Sequence, residues 1–199
     1  MTTTTNTATP DYIVDGTLTD GEAWVPLQTT VLSSDAAEVV FQSSTGANDW
    51  SQYMDLVLIG YMRGAAAQAW EWMKGDINDV TGVYEYQYLR GDGSSGGANT
   101  QSGQTNLFFG YAPCASAAAN VYGIFVAQFY DINSGKTKNW TIMNADDMNG
   151  SGYVYMNAGT SIKTEPVSKI SVHVGASGAM DTLAGSRYDL FGILPRMVS

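Results

Sequence analysis

The chain has 199 residues, of which 19 are acidic and 9 are basic, with one histidine and one cysteine. A net charge of −10 argues against a nucleic-acid binder, because phosphate contacts need clustered Lys and Arg side chains. One cysteine permits neither an intrachain disulfide nor a zinc cluster, and one histidine leaves little for acid–base catalysis. Composition therefore predicts a protein that is not an enzyme and that uses no metal or other cofactor.

The first ten residues, MTTTTNTATP, have neither the basic region nor the apolar region of a signal peptide. No apolar run approaches the roughly 18 residues that a membrane span needs. A threonine-rich segment buries too little apolar surface to order itself. We therefore predict a flexible N-terminal arm over residues 1–20, either a free tail or a segment that orders only against a partner, followed by one domain over residues 21–199.

Short segments rich in Val, Ile, Tyr, Phe or Trp and bounded by turn residues predict β-strands along the whole domain. The predicted strands are residues 24–32, 38–42, 54–61, 70–74, 83–90, 105–111, 121–131, 139–144, 153–156, 169–174 and 187–193. The alanine runs at 65–69 and 115–119 are too short for stable helices and predict loops or single turns. Strands without helices between them indicate an all-β fold, specifically a jelly-roll-like antiparallel β-sandwich.

Two of these segments carry further expectations. The nearly continuous apolar run at 54–61 predicts a central strand covered on both faces. Residues 91–103, GDGSSGGANTQSG, are too polar to pack against a core and predict an exposed hairpin loop.

Two short motifs in and beside this loop match known ligand-binding patterns, but the structural elements that such patterns require are not predicted next to them. Gly91, Gly93 and Gly96 match a dinucleotide-binding pattern, but no helix follows to hold a pyrophosphate. Arg90, Gly91 and Asp92 spell an adhesion tripeptide, which a chain of this length contains by chance often enough to carry no weight. We expect both matches to be accidental.

Candidate catalytic and metal-binding residues also have simpler interpretations. The acidic groups at 76–79 and 146–149 lack the glycine and the bidentate glutamate of an EF-hand, and turn chemistry explains them better. His173 has no recognisable nucleophile elbow to serve. We expect a hydrogen-bonded structural histidine at His173 and an inert thiol at Cys114.

Trp70 and Trp72 are expected on the same face of one strand, with Glu71 on the other. Two indole rings on one face must cover something. We rank the possibilities as the other sheet, a neighbouring subunit, and a glycan, in that order.

Two stretches resemble a family of tailed-phage virion structural proteins. The first is residues 53–91, with YMDLVLIGYMRG and then MKGDINDVTGVYEYQYLRG, and the second is AGSRYDLFGI at residues 184–193. In that family an apolar strand ends in an Arg-bearing loop, and a later strand closes on an Asn-Gly-Asp-like turn. Lys74, Gly75 and Asp76 stand at that turn here, and the resemblance covers roughly residues 24–193.

The resemblance implies a non-enzymatic virion protein. We expect a capsid decoration, or cement, protein that stabilises the head by bridging major capsid protein subunits. Its implied partners are the major capsid protein and itself, as a homotrimer on the capsid exterior after synthesis in the host cytoplasm, without nucleic acid, membrane or small-molecule substrate. The alternatives are a minor tail or tail-tip protein and, from a different class, a carbohydrate-binding module.

If the chain is a virion structural protein, the residues that matter for its function are those that form interfaces. The first 85 residues hold 12 acids and two bases, so we expect that half of the chain to contact the shell. The candidate interface residues are Thr2, Thr5, Tyr12, Ile13 and Leu18 in the arm, Trp70 and Trp72, Arg90 and Asp92 at the hairpin, and Arg196 near the end of the chain.

Overall fold

A computed structural model describes residues 1–5, 13–14, 17–18, 24–148, 151–175 and 180–194. The described residues form fifteen β-strands and two 3-10 turns, Gly46–Asn48 and Trp50–Gln52, and contain no α-helix. A bilayer-spanning helix is accordingly not found in this part of the chain.

The strands form a sandwich of one large and one small antiparallel sheet, with a separate two-stranded ribbon. The larger sheet contains, in spatial order, β1 (Thr2–Thr5), β4 (Trp24–Val31), β15 (Arg187–Ile193), β6 (Asp55–Met62), β11 (Gly123–Tyr130), β12 (Lys138–Ala145), β13 (Val154–Ser161), β8 (Tyr84–Gly91) and β9 (Gly96–Gln104). The smaller sheet contains β10 (Leu107–Pro113), β7 (Trp70–Ile77), β14 (Lys169–Val174) and β5 (Val39–Gln42). The ribbon pairs β2 (Ile13–Val14) with β3 (Thr17–Leu18).

This architecture confirms the predicted jelly-roll-like antiparallel β-sandwich. All eleven predicted strands are present, and most of their ends shift by one or two residues. Strands that are distant in sequence are neighbours in space, since β15 lies between β4 and β6 and β14 lies between β7 and β5. The fold is therefore held by long-range pairings rather than by consecutive hairpins alone.

The core lies between the inner faces of the two sheets. Alternate residues along β11 and β12 are buried, as the period of two in a strand requires. Phe109 of the small sheet packs against Phe125 of the large sheet, with ring centroids 5.0 Å apart. Trp50 and Trp140 are fully buried.

Arg63 fixes the loop that follows β10. Its guanidinium group is buried and donates hydrogen bonds of 2.7 to 3.3 Å to four carbonyl oxygens, those of Ala115, Ala117, Ala118 and Val121. The Arg63 amide also donates to the Ser186 hydroxyl. The arginine of the phage-like pattern is thus a structural clamp in this chain.

The expectation of an arm that orders only against a partner is wrong for Thr2–Thr5. These residues form an edge strand of the chain's own large sheet, in register with Gln28–Val31 of β4. Backbone hydrogen bonds and the β-branched threonine side chains suit an edge strand, which needs no buried apolar side chain. The hydroxyls of Thr3 and Thr30 lie 3.3 Å apart across the pair.

The segment predicted as an exposed loop at 91–103 is exposed, but most of it is strand β9. Only the tip turns, where the Asp92 carboxylate accepts hydrogen bonds from the amides of Ser94 and Ser95. Pairing with β8 satisfies the polar backbone without requiring apolar side chains.

The expected turn at Lys74, Gly75 and Asp76 is also wrong, because β7 continues to Ile77. The turn follows at Asn78 and Asp79, whose φ angles are 55° and 57°. Asn78 holds it by accepting hydrogen bonds from the amides of residues 168 and 169. Gly75 serves close strand packing instead.

Candidate functional site

The outer face of the larger sheet, turned away from the smaller sheet, carries a contiguous set of exposed apolar side chains. We call this set the outer stripe, and each member is between 42% and 64% exposed. Its members are Tyr61, Leu89, Ile124, Val126, Met143, Val154 and Met156. Apolar patches of this extent on a soluble surface mark interaction sites.

Strand register shows that the stripe is continuous. Val126 lies opposite Met143, Met143 opposite Met156, and Met156 opposite Leu89. Tyr61 and Ile124 are paired in the adjacent row. Because neighbouring strands are about 4.8 Å apart, the five strands from β6 to β8 extend the stripe over about 19 Å.

The stripe is free of charge. None of the described residues in its two rows has a charged side chain. Beside it, Arg187 donates to Asp189, and Thr29 donates to the same carboxylate, so this ion pair is already satisfied. A partner that covers the stripe would therefore not have to desolvate an unpaired ion, which would cost several kcal/mol.

The expectation that the strand at 54–61 is covered on both faces holds only at its first half. Val57 is buried on the outer side, whereas Tyr61 is 47% exposed. The outer ring of Tyr61 stacks on Tyr122 at 4.8 Å between centroids. The sandwich has no layer over the second half of this strand among the described residues.

A shallow depression marks the end of the stripe at β8, β9 and β13. Its volume is about 580 Å³, and its apolar lining includes Leu89, Ala98 and Met156. Gln87 and Thr100 add polar groups at one side. The depression gives this end of the stripe a concave shape.

Aromatic rings from β7 and β10 of the small sheet pack against rings from β8 and β13 of the large sheet at one corner of the sandwich. We call this cluster the aromatic corner; it consists of Trp70, Tyr86, Tyr88, Phe108, Tyr111, Tyr153 and Tyr155. Trp70 meets Tyr111 edge-on at 5.0 Å and Tyr153 at 5.6 Å. The corner is therefore mainly a packing element.

Trp70 and Trp72 share a face, as predicted, but they have different surroundings. Trp72 is 46% exposed on the outer face of the small sheet. The Lys74 ammonium lies 4.8 Å from its ring centroid, which is a cation–π geometry. Trp70 covers the other sheet through Tyr153, whereas Trp72 leaves an indole open to solvent.

Three carboxylates line an open cleft of about 290 Å³ beside the hairpin tip: Asp92, Asp146 and Asp147. Hydrogen bonds from the amides of Ser94 and Ser95 lower the pKa of Asp92. Burial raises the pKa of Asp146 to about 6, although the Tyr153 amide donates to its Oδ1. Among the described residues, no group of three or more His, Cys, Asp or Glu side chains is arranged to hold a metal ion. The hydrogen bonds from backbone amides to Asp92 and Asp146 are those of turns.

His173 is buried, but one of its ring nitrogens lacks the hydrogen bond that a fully satisfied structural histidine would make. Its Nε2 and the Ser171 hydroxyl, two residues earlier on the same face, have no hydrogen-bond partner in the described structure. Burial lowers the pKa of His173 and raises that of Asp76, and no bond joins either group to Ser171. Burial raises the pKa of Cys114 to about 11, consistent with an unreactive thiol.

The predicted interface residues are divided between distant places. Trp70 and Asp92 line one cleft of about 510 Å³, and the Arg90 guanidinium lies 3.5 Å from the Tyr111 hydroxyl next to it. Thr2 and Thr5 lie at the opposite edge of the large sheet.

The remaining interface candidates belong to the two ends of the chain. Ile13 and Leu18 are paired with each other in the ribbon. Tyr12 and Arg196 lie outside the described residues.

The outer stripe is the feature that sequence reasoning missed. Its signal is present in strands such as 121–131, VYGIFVAQFYD, in which both alternating sets contain apolar residues. Such a strand reads as buried on both faces, yet the chain has no predicted helix to cover the second face. That mismatch is the signal for an exposed apolar face.

Comparison with known proteins yields little. No protein-family model and no curated protein matches the chain. Among solved structures, peanut lectin with a nine-residue peptide (PVIWSSATG) aligns over 98% of this chain and 99% of that chain, with 8% identity and a TM-score of 0.32. A similarity at this level says nothing about what the chain binds.

Proposed function

We propose that the chain is a non-enzymatic phage virion protein, most specifically a capsid decoration protein that bridges major capsid protein subunits on the exterior of the head. The observation that carries the proposal is the outer stripe, an uncharged apolar surface on a rigid sheet. The phage-like segments at 53–91 and 184–193 support the choice of the virion as the place where it acts.

The outer stripe has the properties of an attachment surface. Burying a half-exposed apolar side chain contributes roughly 1 kcal/mol, so a few such contacts suffice for weak attachment. Many copies on one shell then reinforce each other. The acidic surface elsewhere keeps the free protein dispersed before it attaches.

Cryo-electron microscopy of virions that carry the chain tests its location. We expect density for the chain on the exterior of the head, with the outer face of the nine-stranded sheet against the shell. Density on the tail alone would overturn the decoration role and favour a minor tail protein.

A binding experiment tests the surface. We expect Val126→Thr combined with Met143→Thr to weaken co-sedimentation with heads stripped of the chain by at least tenfold, because each change removes apolar area at the centre of the stripe. Trp72→Ala is the matched control, since it removes apolar area from the opposite side of the sandwich. Equal loss of binding in both variants would contradict attachment through the stripe.

Trp72 favours a second candidate, a carbohydrate-binding module. A half-exposed indole beside Lys74 can stack on a sugar ring. Affinity electrophoresis in polysaccharide gels tests it: retardation that Trp72→Ala abolishes would support the module. Trp70 is the wrong residue for this test, because it packs against Tyr111 and Tyr153 and its loss would disturb the fold.

A further inference from the structure

Strand β9 forms a long uncovered edge of the larger sheet. It has nine residues, seven of them exposed, and in the described structure it pairs only with β8. The Thr100 amide does not donate to β8; it donates to the side-chain oxygen of Asn99, at 2.8 Å. The backbone groups of Thr100 therefore face away from β8, toward solvent.

Proteins usually protect such an edge, and this chain does so at its other edges. β1 and β5 have four residues each, and every residue of β10 is buried. β9 has no proline and no charged side chain, the devices that normally block pairing with another strand. It is the one long edge among the described strands that is open to an added strand.

We propose that β9 is a self-association site at which a second copy of the chain adds its own β9 in antiparallel orientation. Each copy has a net charge of −10, so two copies approach closely only where charge is absent. Antiparallel pairing of GGANTQSGQ with itself opposes Gly, Ala, Asn, Thr, Gln and Ser alone. The pairing is isologous and closes as a two-fold dimer.

The geometry of the sheet connects this dimer with the outer stripe. A two-fold axis perpendicular to the sheet leaves the outer faces of both copies on the same side. The depression lined by Leu89, Ala98 and Met156 then lies beside the axis, and the two stripes become neighbours. The dimer stands whether or not the chain belongs to a virion, and its symmetry differs from the homotrimer that the family resemblance implies.

Size-exclusion chromatography with light scattering tests the proposal on the full chain. We expect a mass of twice the 21.3 kDa monomer for the wild-type chain. Thr100→Pro should halve that mass, because its amide faces away from β8 and its loss leaves the β8–β9 pairing intact. Thr100→Lys should act in the same way, while Thr164→Lys, at an exposed site outside the strands, should leave the dimer unchanged.

Circular dichroism on the same samples shows whether the variants are folded. A monomeric or trimeric wild-type chain would overturn the edge-to-edge dimer, and so would a folded Thr100→Pro variant that stays dimeric. Dissociation by Val126→Thr with Met143→Thr, but not by Thr100→Pro, would place the contact on the sheet faces and contradict the edge. Head binding is measured separately, so failure of either proposal is distinguishable from failure of the other.

Discussion

Burial changes the protonation of the Asp146 carboxylate in this fold. Asp146 sits at the start of a tight connection and is 9% exposed, with Oδ2 unpartnered in the described structure. Its pKa rises from 3.8 to about 6 because burial disfavours the carboxylate. The folded state therefore holds this proton at pH values where the unfolded chain has released it.

The raised pKa of Asp146 makes the stability of the folded state depend on pH, and the sign of this dependence follows from proton binding. Between about pH 4 and pH 6 the folded state binds more protons at Asp146, so its contribution to stability falls as the pH rises. Asp146→Asn removes that dependence, and we expect it to gain about 2 kcal/mol on the wild-type chain between pH 4 and pH 7, measured by urea denaturation. Asp92→Asn is the control without pH dependence in this range, because the lowered pKa of Asp92 keeps its carboxylate ionised in the folded state throughout. An unchanged difference between wild type and Asp146→Asn across this range would contradict the pKa assignment.

At the scale of the strand, alternation of side chains explains both the successes and the failures of sequence reasoning. Strands with apolar alternation, such as 169–174 and 187–193, are found at their predicted bounds. β1 and β9 are missed because backbone pairing alone holds them, and their polar side chains resemble those of a loop. The outer stripe is missed because an apolar residue on the second face looks like a buried one.

Close packing between strands makes Gly75 a test of the smaller sheet. A Cβ at this position would overlap the Ser171 carbonyl oxygen and lie 2.7 Å from the Phe109 ring, so β7 and β14 would have to separate. We expect Gly75→Ala to lower the free energy of unfolding by about 3 kcal/mol, measured by chemical denaturation. Gly135→Ala has open space around it and should change stability by less than about 0.5 kcal/mol. Equal effects would show that the strands approach less closely than described.

At the scale of the whole molecule, the N-terminal strand is an addition to a sandwich that is complete without it. Among the described strands β1 pairs only with β4, and three of its four side chains are exposed. We expect deletion of residues 1–10 to leave the fold intact and to lower the thermal midpoint by a few degrees, as seen by calorimetry. Attachment to heads should weaken if the arm contributes contact area. Loss of cooperative unfolding in the truncated chain would instead make β1 part of the core.

The position of β15 decides when the protein can fold during its synthesis. β15 is the last of the described strands in chain order, yet it lies between β4 and β6, which come much earlier in the sequence. Until residue 193 has emerged from the ribosome, β4 and β6 each have an open edge, because β15, the strand that lies between them, is still missing. The larger sheet can therefore complete its pairing only after residue 193 has been synthesised, and a nascent chain that stalls before residue 187 exposes two unpaired strand edges that favour aggregation.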